Sequence, residues 1–402
     1  MKKAPIRQAV LLCAGKSTRT YPLTVDRPKP LLSVANVPIL EHNLRQLEGI
    51  VDEALIIAGY EVSQIRDFLS NFKGIKAKVI VQEKQLGTAH AVLQTQPFVR
   101  GRFLVLNGDV MYDKKDLVSI SKRPLAVLGV QVSEHGKFGM IISKAGYVTS
   151  IMEKPAQKVS DLANTGAYVF DERVFDIIKK LKKSPSGEYY LTDAIEELAK
   201  TSRIELETVK GFWIHIAYPW DLLSANEFML AKMKSEVSKN AVIEKGTTIK
   251  GNVSIGAGTL VRSGAYIEGP AIIGKNCTIG PNCYVRPGTS IADNAKVGNG
   301  CEVKNSILYE ASALSHLCYV GDSIIGRRVN LGGGTIIANL RHDKQEVSSM
   351  VNGALISTGL EKFGAVIGDN AKTGINTSIY PGRKIWPFRT TIPGEVVNKD
   401  IM

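Results

Sequence analysis

The chain is poor in several residue types, and each scarcity narrows what it can be. It has five cysteines, an odd number with no C-x-x-C pair, which excludes both a disulfide framework and a zinc ribbon. Aromatic residues make up 7%, and none interleaves with the one dense basic cluster, Lys179, Lys180, Lys182 and Lys183, as a base-stacking platform would require. No run of eighteen apolar residues exists to cross a bilayer. The amino-terminal stretch MKKAPIRQAVLLCAGK has too short an apolar core for a secretory signal. A soluble cytoplasmic protein is expected, with neither nucleic acid nor membrane as partner. A P-loop is missing as well. "LLCAGKSTR" at 11–19 contains Gly15-Lys16-Ser17, but Val10 stands where that loop needs its other glycine.

What is present is apolar residue, 44% of 402, enough for two packed cores. Fifty-one Lys and Arg against thirty-eight Asp and Glu give a net charge of +13, spread along the chain. That distribution suits small anionic substrates.

The two halves differ in period. Up to about residue 220, short β-rich runs alternate with helical patterns: 9–12, 39–47, 54–57, 62–69, 77–81, 88–93 and 103–106. Such alternation predicts an α/β domain with a mostly parallel sheet and ligands beyond the carboxyl ends of its strands. Further on, Ile243, Ile249, Ile255, Val261, Ile267, Ile273, Ile279, Val285, Ile291, Val297 and Val303 recur every six residues without a miss. Small residues sit two positions before most of them, Cys277, Cys283 and Cys301 included, so these cysteines are expected to be core packing. A six-residue repeat is the signature of a parallel β-helix, three hexads to a coil; the known form of this solenoid is left-handed. The register falters from Lys304 to Ala313 and is interrupted again by "NLRHDKQEVSSMVNG". The expected organisation is a nucleotide-binding domain at 1–220, a connecting helix at 221–239 and a β-helix at 240–402.

The strand ending at Leu12 leads into Ala14-Gly15, where backbone N–H groups can approach a phosphate, and Arg19 and Lys29 can neutralise a triphosphate. "LCAGKSTR…RPKPLL", "EKQLGTAHAV", "NGDV", "MEKP", "NTGAYVF" and "YPWDLL", in this order, resemble the sugar-1-phosphate nucleotidyltransferases. The resemblance implies a Rossmann-like domain in which a sugar-1-phosphate oxygen attacks the α-phosphorus of a nucleoside triphosphate and pyrophosphate leaves. It implies that Asp109 and Asp221 hold Mg²⁺, that Lys29 contacts the phosphates and that Arg19 covers the leaving pyrophosphate. Leu12, Ala14, Gly15, Gln82, Gly87 and Thr88 would bind the nucleotide, and Gly139, Glu153, Lys154 and Asn164 the sugar and its phosphate. His90 is expected to pack on its helix. Ser17 stands where the family most often has glycine.

In the second half, "VRPGT", "CEVKNS", "SALSHLCYVGD" and "GRRVNLGGGTIIANL" resemble the acetyltransferase half of the bifunctional enzymes of UDP-N-acetylglucosamine synthesis. N-acetylation by acetyl-CoA needs a base for the ammonium proton, and His316 is suited to that task. The resemblance makes Arg286 and Lys304 the phosphate-binding pair, gives Tyr319 and Asn330 to the sugar, and gives Gly333 and Asn339 to acetyl-CoA. "NLRHD" replaces the family's usual "NYDG".

The reading is a bifunctional enzyme that acetylates glucosamine-1-phosphate and then transfers uridylyl from UTP, assembled as a homotrimer. The "RPKPLL" form and the Arg19-to-Lys29 spacing also resemble glucose-1-phosphate thymidylyltransferases, which leaves dTTP as an alternative nucleotide. GDP-mannose pyrophosphorylase with a hexapeptide tail is a rival enzyme. A non-catalytic scaffold like certain translation initiation factor subunits is a rival of another class, against which the carboxylates and Lys29 argue.

Overall fold

The computed structural model describes residues 5–133 and 136–402. Two compact units share the chain: Met1–Lys16, Arg27–Leu31 and Ile39–His215 form the first, and Ser17–Asp26, Leu32–Pro38 and Ile216–Met402 the second.

The first unit is built on a nine-stranded sheet. Strands Lys76–Val81, Glu53–Ala58, Gln8–Cys13 and Phe103–Asn107 lie side by side, all parallel. The inner strands are near-continuous apolar runs, as strands covered on both faces must be; Ala9, Val10 and Leu11 are fully buried. Helices Ile39–Leu47, Val62–Asn71 and Thr88–Leu93 occupy the sequence positions their periodicity predicted.

Beyond Phe103–Asn107 the expectation of a mostly parallel sheet fails. Leu162–Phe170 runs antiparallel to that strand and to Ala126–Gln131, and Gly139–Lys144 pairs antiparallel with Tyr147–Glu153. For the last pair the cause is local: Ala145 and Gly146 both have positive φ (52° and 81°), the backbone of a two-residue hairpin turn, which returns the chain without a crossover helix. The sheet is mixed.

The second unit carries three parallel sheets of six, eight and seven short strands. Ile249 pairs with Ile267, Ile267 with Val285 and Val285 with Val303, so each coil takes eighteen residues and three strands. The aliphatics from Ile255 to Val303 are buried in one continuous core. Ile243 is 38% exposed because its strand is the edge of its sheet.

The sequence break at 304–313 is no break in the ladder. Leu308 pairs with Ile291, Leu314 with Val297 and Val320 with Val303, each seventeen residues on, and Ile325, Leu331 and Ile337 follow at the same spacing: two successive coils are each a residue shorter, and the column carries on unbroken. Cys277, Cys283 and Cys301 are buried and free, and so is Cys318 above Cys301 in the first shortened coil. The later interruption is an insertion, since Ile325 next pairs with Ile367 and Ile337 with Ile379. It folds as a hairpin, Ser348–Val351 with Ala354–Ser357, closed by Asn352-Gly353 with φ of 48° and 84°. The helix expected at 221–239 is shorter, Asp221–Lys232.

Candidate active sites

In the first unit, Lys29 lies in a short helical turn, Lys29–Leu31, between Pro28 and Pro30. Its side chain is 4% exposed and its Nζ donates to Asp109 Oδ2 at 2.8 Å. Asp109 follows strand Phe103–Asn107, and Gly108 lets it turn there: a Cβ at Gly108 would lie 2.5 Å from the Cys13 sulfur. Burial, aided by the Asp109 charge, raises the Cys13 thiol far above its ordinary range, so it is inert packing at the end of the first strand. Leu12 accepts the Gly108 N–H at 3.0 Å, which ties the first strand to this turn; Ala14 is buried and Gly15 exposed just beyond.

Gln82 is 3% exposed and held from two sides: its Nε2 donates to the Gly87 carbonyl at 3.2 Å and lies 2.9 Å from His90 Nδ1. His90 thus orients Gln82, and burial lowers its pKa. Gly87 caps helix Thr88–Leu93 at φ 97°, with the Tyr189 carbonyl 2.5 Å from where a Cβ would be. Thr88 Oγ1 accepts the Leu191 N–H at 3.0 Å. Only glycine fits at 87, and the Gly87-Thr88 turn is clamped onto residues 189–191.

The four expected sugar residues gather at one end of the antiparallel part of the sheet. Gly139 pairs with Glu153, and a Cβ there would press within 2.9 Å of Glu153 Oε2. Lys154 has φ 42°, a strained value for a side-chain-bearing residue, and its N–H donates to Phe138 O at 3.2 Å. Asn164 Nδ2 donates to Tyr168 Oη at 2.7 Å. Partial burial raises the Glu153 carboxyl above its usual range against the pull of Lys154. The ring of Phe138 meets that of His215 at 5.7 Å, and His215 Nε2 stands 4.0 Å from Asp109 Oδ2, so these residues connect to the Lys29–Asp109 pair.

In the second unit, Ser17 has φ 54° and ψ 49°, the left-handed conformation that explains why glycine suits this position. Three bonds to its carbonyl hold it, from Thr20 N–H at 3.1 Å, Thr20 Oγ1 at 2.8 Å and Thr24 Oγ1 at 2.9 Å. The Arg19 guanidinium lies over the Tyr218 ring at 5.7 Å. Asp221 opens helix Asp221–Lys232, and its Oδ2 accepts N–H groups of Ala217 and Tyr218, each at 2.7 Å. Two backbone donors on one oxygen fix the direction of this carboxylate.

On the solenoid, His316 ends strand Ala313–His316, exposed at a corner, with Gly333 one coil above, where a Cβ would sit 3.6 Å from the His316 Cβ. Arg286 Nη1 bonds Glu302 Oε1 at 2.8 Å. Lys304 Nζ reaches Asp322 Oδ2 at 3.3 Å. Asn339 Nδ2 donates to Tyr319 Oη at 3.3 Å and to Asp322. Burial, and then Asp322, raise the Tyr319 phenol above its ordinary value. Lys304, Tyr319 and Asn339 are therefore brought together. Asn330 pairs with Ala313 and lies on the sheet that carries His316, exposed on its outer face.

Residues 8–232 match the nucleotidyl transferase family model, and residues 267–391 match the model of the GMPPB C-terminal domain. Among curated relatives, "Bifunctional protein GlmU" of Methanococcus vannielii is 42% identical over 98% of this chain and 95% of its own. The protein of the same name from Methanocaldococcus jannaschii is 39% identical, over 94% and 91%. A "bifunctional sugar-1-phosphate nucleotidylyltransferase/acetyltransferase" of Sulfurisphaera tokodaii is 36% identical over 98% of both. The chain belongs to this bifunctional family. Among solved structures, a UDP-glucose pyrophosphorylase complexed with UDP-glucose aligns at a TM-score of 0.53 and 20% identity, over 57% of this chain and all of its own, which supports the fold of the amino-terminal half.

Sequence reasoning missed three residues that the structure places against these candidates. Asp322 organises Lys304, Asn305 and Asn339, taking the Asn305 amide at 2.7 Å. A shortened coil hid it, because it pairs with residues seventeen and eighteen positions back. His215 and Phe138 carry no motif of their own, and only the pairing of Trp213–His215 with Val110–Tyr112 brings His215 to Asp109. Among the described residues, no group of three or more His, Cys, Asp or Glu could hold a metal by itself.

Proposed function

We propose that this chain synthesises UDP-N-acetylglucosamine in two steps, by acetyl-CoA-dependent N-acetylation of glucosamine-1-phosphate and uridylyl transfer from UTP to the product. The observation that carries the reading is the presence on one chain of the Lys29–Asp109 pair at the end of a parallel strand and of the glycine-capped His316 corner. Near full-length relatives named as bifunctional support it.

In the uridylyl step, an oxygen of the sugar phosphate attacks the α-phosphorus in line, the bond to the β-phosphate oxygen breaks, and pyrophosphate departs. Positioning and charge neutralisation supply most of the acceleration. Lys29 takes the phosphates, Arg19 the departing pyrophosphate, Leu12, Ala14, Gly15, Gln82, Gly87 and Thr88 the nucleotide, and Gly139, Glu153, Lys154 and Asn164 the sugar phosphate. Asp109 and Asp221 would hold Mg²⁺. Two carboxylates are a fitting donor set, because Mg²⁺ is commonly bound through one or two such groups plus substrate phosphates. When bound, the ion neutralises charge on the phosphate oxygens.

In the acetyl step, His316 accepts a proton from the ammonium. The freed amine attacks the thioester carbonyl, and CoA leaves as the thiol. Arg286 and Lys304 take the phosphate, which displaces Glu302 and Asp322 as their partners. Tyr319 and Asn330 position the sugar, and Gly333 and Asn339 border the acetyl-CoA path. A left-handed hexad solenoid assembled as a homotrimer is part of the proposal, supported by the exposed apolar residues Leu317, Ile375 and Ile392 of the His316 half. A cytoplasmic location is proposed on the five free thiols.

The test supplies the protein with glucosamine-1-phosphate, acetyl-CoA, UTP and Mg²⁺ and identifies the nucleotide sugar by mass. UDP-N-acetylglucosamine is expected. A product lacking the acetyl group, or one formed only from dTTP or GTP, refutes the assignment.

A further inference from the structure

The inserted segment between the coils of Ile337 and Val366 makes two separate approaches to the loop that carries Arg19, all within the second unit. At the root of the insertion, fully buried Phe363 meets the Trp220 ring edge-on at 5.8 Å. Trp220 stacks on Tyr218 at 4.6 Å and 12°, and Tyr218 underlies the Arg19 guanidinium. At the tip, Asn352 Nδ2 donates to Thr18 Oγ1 at 3.1 Å. The hairpin between root and tip is pinned to the solenoid. Lys384 Nζ donates to Met350 O at 2.6 Å, Ser349 Oγ to Gly382 O at 2.8 Å and Arg383 Nη2 to Ser348 O at 3.2 Å.

The same root reaches the acetyl site. The Phe363 N–H donates to the Asn339 carbonyl at 2.9 Å, and the Asn339 side chain holds Tyr319 Oη and Asp322. Arg19 cannot leave the Tyr218 face for a triphosphate without releasing the outermost member of a stack that ends on Phe363. A shift of Phe363 moves the residue that orients Tyr319. Packed aromatic stacks pass on displacement because interiors yield little volume.

We propose that the inserted segment positions Arg19 and, through Phe363 and Asn339, couples the uridylyl and acetyl sites, so that nucleotide binding alters affinity for the amino-sugar phosphate. This rests on the two activities proposed above. Trp220, Phe363 and Asn352 are positioning residues. Linkage requires the effect to be reciprocal and equal in binding.

The test is calorimetric binding of α,β-methylene-UTP with Mg²⁺ to the full chain, with and without saturating glucosamine-1-phosphate, in the wild type, Asn352→Ala and Phe363→Leu. Asn352 is an exposed hairpin tip, so its variant keeps the test independent of core packing. A shift in dissociation constant of about fivefold is expected in the wild type, reduced to less than half that factor in each variant, with an equal shift when the two ligands are exchanged. An unshifted wild type, or a shift retained in both variants, overturns the coupling. A wild type that couples nothing yet forms UDP-N-acetylglucosamine refutes this inference alone, whereas one that forms no product refutes the underlying reading and the inference with it.

Discussion

Lys29 and Asp109, eighty residues apart in sequence, meet at 2.8 Å, with the lysine almost wholly buried and the carboxylate at the edge of solvent. A buried ammonium with one carboxylate partner is poised to exchange that partner for phosphate. Lys29→Met is expected to lower pyrophosphate release by about 10²–10³, the usual cost of one electrostatic contact at a developing charge. Acetylation, followed as CoA release, should continue.

Asp322 gives a prediction for the other reaction. Asp322→Asn keeps the shape but removes the charge that aligns Lys304, so the KM for glucosamine-1-phosphate should rise about tenfold, as loss of a hydrogen bond to a charged group predicts. Steady-state acetylation kinetics check this. An unchanged KM would make Asp322 a packing residue only.

The aliphatic column gives a stability prediction. Ile279 is fully buried among its coil neighbours, and Ile279→Ala should cost about 2–5 kcal/mol by denaturant unfolding of the full chain. The effect should reach acetylation through loss of folded protein, with the KM of the remaining enzyme unchanged.

Lys384 gives a pH dependence. Burial lowers its pKa from 10.5 to about 8, with Asp400 opposing and Arg383 assisting. Between those values the unfolded chain holds a proton that the folded chain has released. This group therefore adds stability as pH rises through that window and costs stability below about 8. Lys384→Met should remove that rise, so the difference in unfolding free energy between wild type and variant should change by up to about 3 kcal/mol from pH 7.5 to 10.5.

Much of the fold was legible because its signals are local. The six-residue period places the buried column from Ile255 to Val303, and the alternating runs before residue 107 place four parallel strands. The antiparallel placement of Leu162–Phe170 and the hairpin turn at Ala145-Gly146 have no signal in the period count, nor has the Asn352-Gly353 turn that folds the insertion. The two shortened coils look like a break because a period count cannot tell a missing residue from a lost ladder. Motifs pointed to Lys29, Asp109 and His316. Asp322 and His215 are brought to the candidate sites by tertiary pairing, across a coil or across a two-stranded ribbon, and neither pairing has a fixed spacing to find. Ser17 shows the converse: the departure from glycine was visible, but the three bonds that hold its carbonyl were not.

The central claim is that one chain carries two separate chemistries, and paired variants test it most directly. Pyrophosphate release from UTP with N-acetylglucosamine-1-phosphate, and CoA release with glucosamine-1-phosphate, are measured on the wild type, Asp109→Ala and His316→Ala. Asp109→Ala should abolish the first and leave the second, and His316→Ala should lower the second by about 10²–10⁴ and leave the first. Loss of both activities in either folded variant, or the absence of CoA release from the wild type, would contradict the account.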